Sequence, residues 1–229
     1  MRLRTVLLAL LCWLAVAPAS AQILYNNGPG GPDIDAWTIN EGYLVSDTFT
    51  LTGNSTVNGF DFEAWEFPGD KVLSVDWSIT SQENGGMMYG GGTANVTQKF
   101  ISTNAFGYDI DEVTASGLNV GLSAGTYWLN LQNAVVSNGD PVYWDENSGM
   151  GCNSPGCPSL ASDSSVGTIP SESFDITGTS SGTTPEPSSI LLFGSGILGV
   201  FGGLRRKLFW CPASSCAAGN ARGEQACVA

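Results

Sequence analysis

The chain has 229 residues, of which 21 are acidic and 8 are basic, giving a formal net charge of −13, and it contains no histidine. This acidic balance argues against nucleic acid and against an anionic lipid surface as partners. The absence of histidine removes Ser-His-Asp and Cys-His catalysis, together with the commonest metal ligand.

The N-terminal segment has the features of a secretory leader. Arg2 and Arg4 make its start positive, residues 6–16 are apolar, and Ala19-Ser20-Ala21 supplies small residues before a cleavage point at Gln22. An uncleaved anchor is the alternative, but the apolar stretch is short for a membrane span. We predict a signal peptide over residues 1–21, with the Sec translocon and signal peptidase as partners.

Residues 22–178 form the predicted folded domain. They hold all but two of the 21 acidic residues and only two basic ones, Lys71 and Lys99, and they are rich in Gly, Ser, Thr and Asn. About 160 residues are enough to bury one core. The scarcity of helix-forming residues favours strands.

Apolar and polar residues alternate with a period of two in several stretches of this domain, which is typical of half-buried strands. The longest stretch, at 71–80, alternates Leu73, Val75, Trp77 and Ile79 with polar residues. The same pattern occurs at 48–52, 60–65 and 126–132, and shorter candidates lie at 36–39, 93–101, 107–110, 142–144 and 173–177. Turn residues separate these stretches. The fold class predicted is all-β, with an antiparallel β-sandwich of jelly-roll type.

Three tryptophans are candidates for ligand binding. Trp65 lies on the nominally polar face of its strand beside Glu63, Trp128 lies beside Asn130, and Trp144 stands at the mouth of a long loop. An aromatic ring flanked by amides and carboxylates suits the apolar face of a sugar. The opposing interpretation is that these rings pack against the second sheet or beneath the loop, and the usual burial of bulky rings favours it.

Paired carboxylates are the remaining route to catalysis, because glycoside hydrolysis needs two acids flanking the scissile bond. Glu63 with Glu66, or Asp145 with Glu146, are such pairs, but nothing distinguishes them from the many other acids of the domain. We therefore predict that the protein is not an enzyme. Ice binding would use a flat array of threonines, and the row at 48–52 lacks the stacked repetition that such an array needs.

Clustered carboxylates at two places supply the oxygen ligands that Ca²⁺ takes. Asp109, Asp111 and Glu112 form one cluster, and Asp33 with Asp35 forms the other. Neither cluster is an EF-hand loop, because both lack its glycine and its distal glutamate. We predict no cofactor, with structural calcium as an alternative and solvated charge as the favoured interpretation.

Cys152 and Cys157 lie inside a long predicted loop at 145–170. In an oxidising compartment, a local disulfide is the natural interpretation of such a pair. Closing this short loop would stabilise the fold by about 2 kcal/mol. We expect its main effect to be on the shape of the loop.

The C-terminal part contains three features in order. A Ser- and Gly-rich linker ending in Pro185-Glu186-Pro187 covers 179–187, an uncharged run follows at 188–204, and Arg205-Arg206-Lys207 opens the last segment, 205–229. The uncharged run is marginal in length for a bilayer core of about 30 Å. The basic cluster favours a cytoplasmic C-terminal side. We predict a transmembrane helix over 188–204 and a cytoplasmic extension after it.

This order of Pro-Glu-Pro signal, apolar span and basic stop resembles the PEP-CTERM sorting tail of exopolysaccharide-producing bacteria. The resemblance implies recognition by exosortase, a membrane-embedded cysteine transpeptidase, with an inner-membrane precursor that is processed for surface display or release. Residues 122–129 also resemble a hairpin strand common in the exported domains of that group. The chain departs from the usual pattern because it continues through 208–229, which includes three cysteines.

We accordingly expect an exported protein of the cell surface or extracellular matrix, with a structural or adhesive role linked to exopolysaccharide or biofilm. The main alternative is a carbohydrate-binding module that uses surface tryptophans. A glycosidase and an ice-binding protein are less favoured.

Overall fold

The computed structural model describes residues 22–31 and 35–180. Several predictions fall outside these residues: the signal peptide at 1–21, Asp33, the sorting signal at 185–187, the transmembrane helix at 188–204 and the basic cluster with its extension at 205–229. Within the described residues, no helix is long and apolar enough to cross a bilayer.

Twelve strands build the described part of the chain. They are β1 (Gln22–Asn26), β2 (Ala36–Thr38), β3 (Leu44–Leu51), β4 (Ser55–Glu66), β5 (Val72–Gln82), β6 (Gly85–Thr103), β7 (Asp109–Leu122), β8 (Gly125–Val136), β9 (Tyr143–Asp145), β10 (Ala161–Asp163), β11 (Gly167–Ile169) and β12 (Phe174–Ser180).

All pairings between these strands are antiparallel, and they join into one curled sheet with the form of a half-barrel. The strand order is β1-β12-β4-β7-β6-β5-β8-β3-β10-β11, and β9 bridges β2 to β4. The long strand β6 connects the two halves of this sheet, because 85–95 pair with β5 and 96–103 pair with β7. The predicted all-β antiparallel class is confirmed. Where the sequence analysis expected a jelly-roll sandwich, the structure has one continuous curled sheet.

The core lies on the inner face of this curled sheet. On β4, Phe60, Phe62 and Ala64 are buried, and on β8 the alternate residues Tyr127, Leu129 and Leu131 are buried as well. Rings meet within the core at centroid distances near 6 Å, as between Phe60 and Trp77 at 6.2 Å. Each large apolar side chain that is buried in this way contributes roughly 1.5–3 kcal/mol. The two-residue alternation of the sequence is therefore realised as an inner apolar face and an outer polar face.

Four elements differ from the sequence expectation: β1, the glycine-rich start of β6, the second half of β7, and the β10–β11 pair. The start of β6 contains Gly90, Gly91 and Gly92, which favour a turn over a strand in any sequence-based interpretation. A Cβ at Gly90 would lie 2.6 Å from Val120 Cγ2, on a neighbouring part of the sheet. The missing side chain at Gly90 thus permits the close approach of Val120 as the sheet curls.

Candidate functional site

The outer face of β4 brings acidic side chains of three strands together. Asp61 and Glu63 alternate with the buried phenylalanines of β4 and therefore point outwards. The strand register places Asp175 of β12 directly opposite Asp61, and Glu112 of β7 directly opposite Glu63. Carboxylates that face each other across neighbouring strands repel, so this arrangement lowers stability when all four are ionised.

These four carboxylates line an open groove of about 390 Å³, which also contains Lys99. Lys99 Nζ lies 3.2 Å from Glu112 Oε2, and Asn26 Nδ2 donates to Asp175 Oδ1 at 2.6 Å. Burial, reinforced by the other three carboxylates, raises the pKa of Asp61 to about 7. Burial also raises the pKa of Asp175 to about 6, although the Asn26 hydrogen bond opposes the shift. The groove favours species that supply positive charge or protons.

An aromatic cluster continues the same outer face beyond the groove. We define it as Trp65, Phe67, Phe106, Tyr108 and Tyr143. Phe106 stacks on Trp65 with ring centroids 5.7 Å apart and an interplanar angle of 29°. Tyr108 lies 5.8 Å from Trp65, 5.1 Å from Phe67 and 5.7 Å from Tyr143. Phe106 is 63% exposed and Phe67 40% exposed, whereas Trp65 is only 6% exposed. The ring surface that a ligand can reach thus belongs mainly to Phe106 and its neighbours.

Glu63 and Asp145 meet at the boundary between the groove and the aromatic cluster, and we call them the carboxylate pair. A Cβ built on Gly30 would lie 2.1 Å from Asp145 Oδ2 and 2.7 Å from Glu63 Oε2, so both carboxylates press on the same backbone position. Asp145 is 1% exposed. Within the described residues neither of its carboxylate oxygens has a hydrogen-bond partner.

The environment of the carboxylate pair disfavours two negative charges. Burial raises the pKa of Asp145 to about 8, and Glu63 reinforces the shift, while the Trp65 indole, near but not closing a hydrogen bond, opposes it. Burial likewise raises the pKa of Glu63, with the Gly30 backbone opposing and Glu112 reinforcing the shift.

A buried polar network lies behind this pair and ties five separate segments together. Asp47 of β3 accepts hydrogen bonds from Ser159 and Ser171 hydroxyls and from the Glu172 backbone N–H. Asn147 Nδ2 donates to the Asn27 carbonyl at 3.0 Å. The Glu172 carboxyl is fully buried, and burial, with Asp47 nearby, raises its pKa well above the ordinary value. The network fixes the segment around 145–147 against that around 171–173.

A third acidic group occupies the inner face at the end of β4. Glu66 is 1% exposed and Asp111 is 5% exposed. Gln98 Nε2 lies 3.3 Å from Asp111 Oδ2. Burial raises the pKa of Glu66 to about 8, reinforced by Asp111 and Asp70 and opposed by Gln98 and the Val72 backbone.

The structure gives two of the tryptophans proposed as ligand sites a packing role. Trp144 is fully buried, and its Nε1 donates to the Ser173 carbonyl at 2.8 Å. Trp65 is covered by Phe106. Trp144 therefore presents no surface to a ligand, because β9 inserts its ring between Phe62 and Phe174 in the core.

The other two proposed ligand residues lie on β8. Trp128 is half-buried and sits opposite Thr48 and Thr80 of the flanking strands. Asn130 is buried, accepts a hydrogen bond from Ser46 Oγ at 2.6 Å and donates to Thr80 Oγ1 at 2.8 Å. These bonds occupy the Asn130 amide with neighbouring strands. Neither Trp128 nor Asn130 belongs to the aromatic cluster.

The calcium candidates do not share one face. Asp109 and Asp111 point to the inner face of β7, where Asp109 Oδ2 accepts from the Gly69 N–H at 3.3 Å. Glu112 points outwards to Lys99, because adjacent residues of a strand point to opposite sides. Among the described residues, no three Cys, Asp or Glu side chains are arranged to hold a metal ion together.

The two nominated catalytic pairs are separated by the same alternation. Glu63 lies on the outer face of β4 and Glu66 on its inner face, and Asp145 and Glu146 are adjacent on an extended segment. The structure pairs Glu63 with Asp145 instead. The alternation of β4 predicted correctly that Asp61, Glu63 and Trp65 share one face. Their partners on β7, β9 and β12 could not be predicted, because the register between strands cannot be read from the local sequence pattern.

The structure brings Cys152 and Cys157 together in the loop that follows β9. Their Cα atoms are 5.8 Å apart, within the usual range for a disulfide. The loop is also held by the Cys157 N–H, which donates to the Ser154 carbonyl at 3.2 Å, and by Ser154 Oγ, which accepts from the Asn26 N–H at 2.8 Å. The cysteine segment is thereby attached to β1.

Comparison with protein families identifies the PEP-CTERM protein-sorting motif at residues 183–207. This span includes Pro185, Glu186 and Pro187 as well as Arg205, Arg206 and Lys207. The predicted sorting signal is therefore confirmed, and it marks the chain as a secreted protein targeted to the cell surface and processed by exosortase. No curated protein matches the chain.

Proposed function

We propose that the protein has a structural or adhesive role in the cell envelope or in an exopolysaccharide matrix, after export through Sec and removal of residues 1–21. An inner-membrane precursor, anchored by 188–204, precedes exosortase processing, and the mature domain acts without catalysis. The sorting motif at 183–207 supports this proposal, because it directs the protein to the surface where such a matrix is formed.

The second candidate, a carbohydrate-binding module, rests on the aromatic cluster. Sugars bind to aromatic rings through their apolar faces and to carboxylates and amides through their hydroxyls. Here the exposed Phe106 and Phe67 rings adjoin the groove that contains Glu63 and Asp61. The platform on this surface is therefore Phe106 over Trp65, rather than Trp65 with Trp128.

Fractionation and intact-mass measurement of the native protein, from cells with and without exosortase, test the sorting and processing part. We expect a mature form that begins at Gln22, ends near 185–187 and depends on exosortase. A full-length protein retained in the membrane of both strains would contradict processing and would make the C-terminal segment a permanent anchor. A local disulfide between Cys152 and Cys157 predicts a mass 2 Da below that of the reduced form, about the mass of two hydrogens.

Electrophoresis in gels that contain exopolysaccharide tests the binding part. Phe106→Ala removes the most exposed ring of the cluster and should weaken retardation about fivefold or more, because each stacked ring contributes roughly 1 kcal/mol or more to contact with a sugar. Phe100→Ala is the matched control, since Phe100 is 58% exposed but points to the inner side of β6. Equal retardation of both variants would rule out the aromatic cluster and leave the structural role without a carbohydrate site.

A further inference from the structure

The carboxylate pair brings two acids together in a largely buried environment, which suggests a second binding site. Asp145 is almost wholly buried, and within the described residues neither of its oxygens has a hydrogen-bond partner. Buried carboxylates are normally hydrogen-bonded or paired with a cation. In the domain as a whole, Lys71 and Lys99 are the basic residues available, and Lys99 is bonded to Glu112. Among the residues that the structure describes, the pair therefore lacks a compensating positive charge.

Both carboxylates of the pair lie against the backbone of Gly30, where there is no room for a side chain. Any Cβ at Gly30 would overlap Asp145 Oδ2, at 2.1 Å. Glu63, the other member, also lines the open groove of about 390 Å³. The Glu63 carboxylate is thus open to a small ion from solvent, and the buried Asp145 carboxylate lies behind it, outside the groove lining, where a polysaccharide cannot reach. This burial also disfavours the pair as a glycosidase site, since both acids would need to touch the glycosidic bond.

We propose that the carboxylate pair, Glu63 with Asp145, binds a hard divalent cation, Ca²⁺ or Mg²⁺, that enters through the outer groove. Both ions take carboxylate, carbonyl and water oxygens, and Mg²⁺ is commonly held by one or two carboxylates while it keeps several waters. The two carboxylates are the protein's charged ligands, which agrees with the absence of a three-acid cluster in 22–31 and 35–180. Groove waters complete the coordination.

Neighbouring residues give the site its supporting shell. The Ser173 hydroxyl donates to the Gly28 carbonyl at 3.0 Å, which holds the 28–30 segment against β12. The Ser173 N–H donates to the Asp145 carbonyl at 2.8 Å. These bonds keep Asp145 and Gly30 in place whether or not an ion is bound. We therefore expect the backbone to stay in place on binding, with movement confined to the side chains that cover Asp145.

Terbium luminescence gives a direct test, because the Trp65 indole lies beside Asp145 and can sensitise a bound Tb³⁺ ion. The full chain, purified in a non-ionic detergent, is titrated with Tb³⁺ under excitation of tryptophan, and Ca²⁺ and Mg²⁺ are then added as competitors. We expect saturable luminescence that Ca²⁺ or Mg²⁺ displaces. The same ions should raise the midpoint of thermal unfolding, since they bind the folded state.

Three substitutions locate the ion. Glu63→Gln and Asp145→Asn should each weaken binding about tenfold or more, by removing one of two charged ligands. Trp65→Phe should reduce the sensitised luminescence, with Trp37 and Trp144 as the remaining donors near the site, but keep the calcium-dependent thermal shift, an outcome that a structural defect would not produce. Asp76→Asn is the matched control, because Asp76 lines a separate groove of about 260 Å³, and we expect less than a twofold change.

Several outcomes would overturn the proposal. Tb³⁺ emission without saturation, or equal losses in Asp76→Asn and Glu63→Gln, would mean diffuse attraction to an acidic surface. A thermal midpoint that responds to pH but not to either ion would mean that the carboxylates share a proton instead. If Asp145→Asn does not fold, Glu63→Gln decides the matter, because Glu63 is only partly buried.

Discussion

The free energy of unfolding should fall as the pH rises from 5 to 7, and Glu66 offers the clearest way to measure one group's share. The ordinary glutamate pKa is 4.5, and burial beside Asp111 and Asp70 raises that of Glu66 to about 8 in the folded protein. Between these two values the folded state keeps a proton that the unfolded state releases. Raising the pH therefore favours the unfolded state, and the stability that the neutral acid provides below pH 4.5 is lost progressively up to pH 8.

The size of the effect follows from proton linkage. One retained proton changes the free energy of unfolding by about 1.4 kcal/mol per pH unit, or about 3 kcal/mol between pH 5 and 7. Solvent screening at the end of β4 reduces this, and we expect about 2 kcal/mol. Glu66→Gln keeps the shape of the side chain and removes its titration. The variant should therefore lose about 2 kcal/mol less than the parent over this pH interval.

Urea unfolding, followed by tryptophan fluorescence at half-unit steps of pH, measures this difference. Other buried acids, among them Asp47, titrate with the same sign, so the parent slope should exceed that of one group. Glu83→Gln, an identical change at an exposed turn residue, should leave the parent slope unaltered. Parallel curves for the parent and Glu66→Gln would refute the reasoning, since Glu66 would then be ionised in the folded protein at pH 5.

Three further predictions concern packing, and urea unfolding at pH 6 measures each. Gly30→Ala should lower the free energy of unfolding by about 1–3 kcal/mol because its Cβ overlaps the carboxylate pair. Gly121→Ala is the control, since Gly121 has open space around it, and should change stability by less than about 0.5 kcal/mol. Equal effects would contradict the steric argument. Trp144→Phe should cost about 2 kcal/mol or more, since it removes the indole hydrogen bond to the buried Ser173 carbonyl and leaves that carbonyl only the Glu63 N–H at 3.4 Å. An unchanged midpoint would show that the indole hydrogen bond adds nothing. Asn130→Ala should cost about 1–3 kcal/mol by removing bonds to two neighbouring strands, and a stable variant would reopen Asn130 as a ligand residue.

The sequence predicted best those strands that have one buried and one exposed face. In β4, β5 and β8 the apolar residues alternate, because water lies on one side and the core on the other. Alternation fails for β3, where the consecutive residues Ser46, Asp47 and Thr48 are buried together with the flanking Val45 and Phe49. The short strand β10 pairs with β3 and helps to bury it. The local sequence of β3 does not show that another strand will pack there.

The candidate site was predictable only in part, for a related reason. Residue types placed Trp65 beside Glu63 on an outward face, and the structure agrees. Phe106 and Asp145 reach that face from segments about 40 and 80 residues away, and long-range register is fixed by tertiary packing rather than by local sequence. Trp144, in contrast, was a ligand candidate because it stands with acidic residues at the mouth of the long loop, although burial was the favoured interpretation. Those acids, Asp145 and Glu146, are themselves buried.

The position of β12 has a consequence for the order in which the protein is made. β12 lies between β1 and β4, pairing Gln22 with Gly178 and Phe62 with Phe174. Because a ribosome releases the chain from its N-terminus, β1 waits without this neighbour, and one edge of β4 stays open, until residues 174–180 emerge. An open edge is a template for pairing with another chain. A holding factor that delays association of the nascent chain should therefore matter most before the final strand is translated.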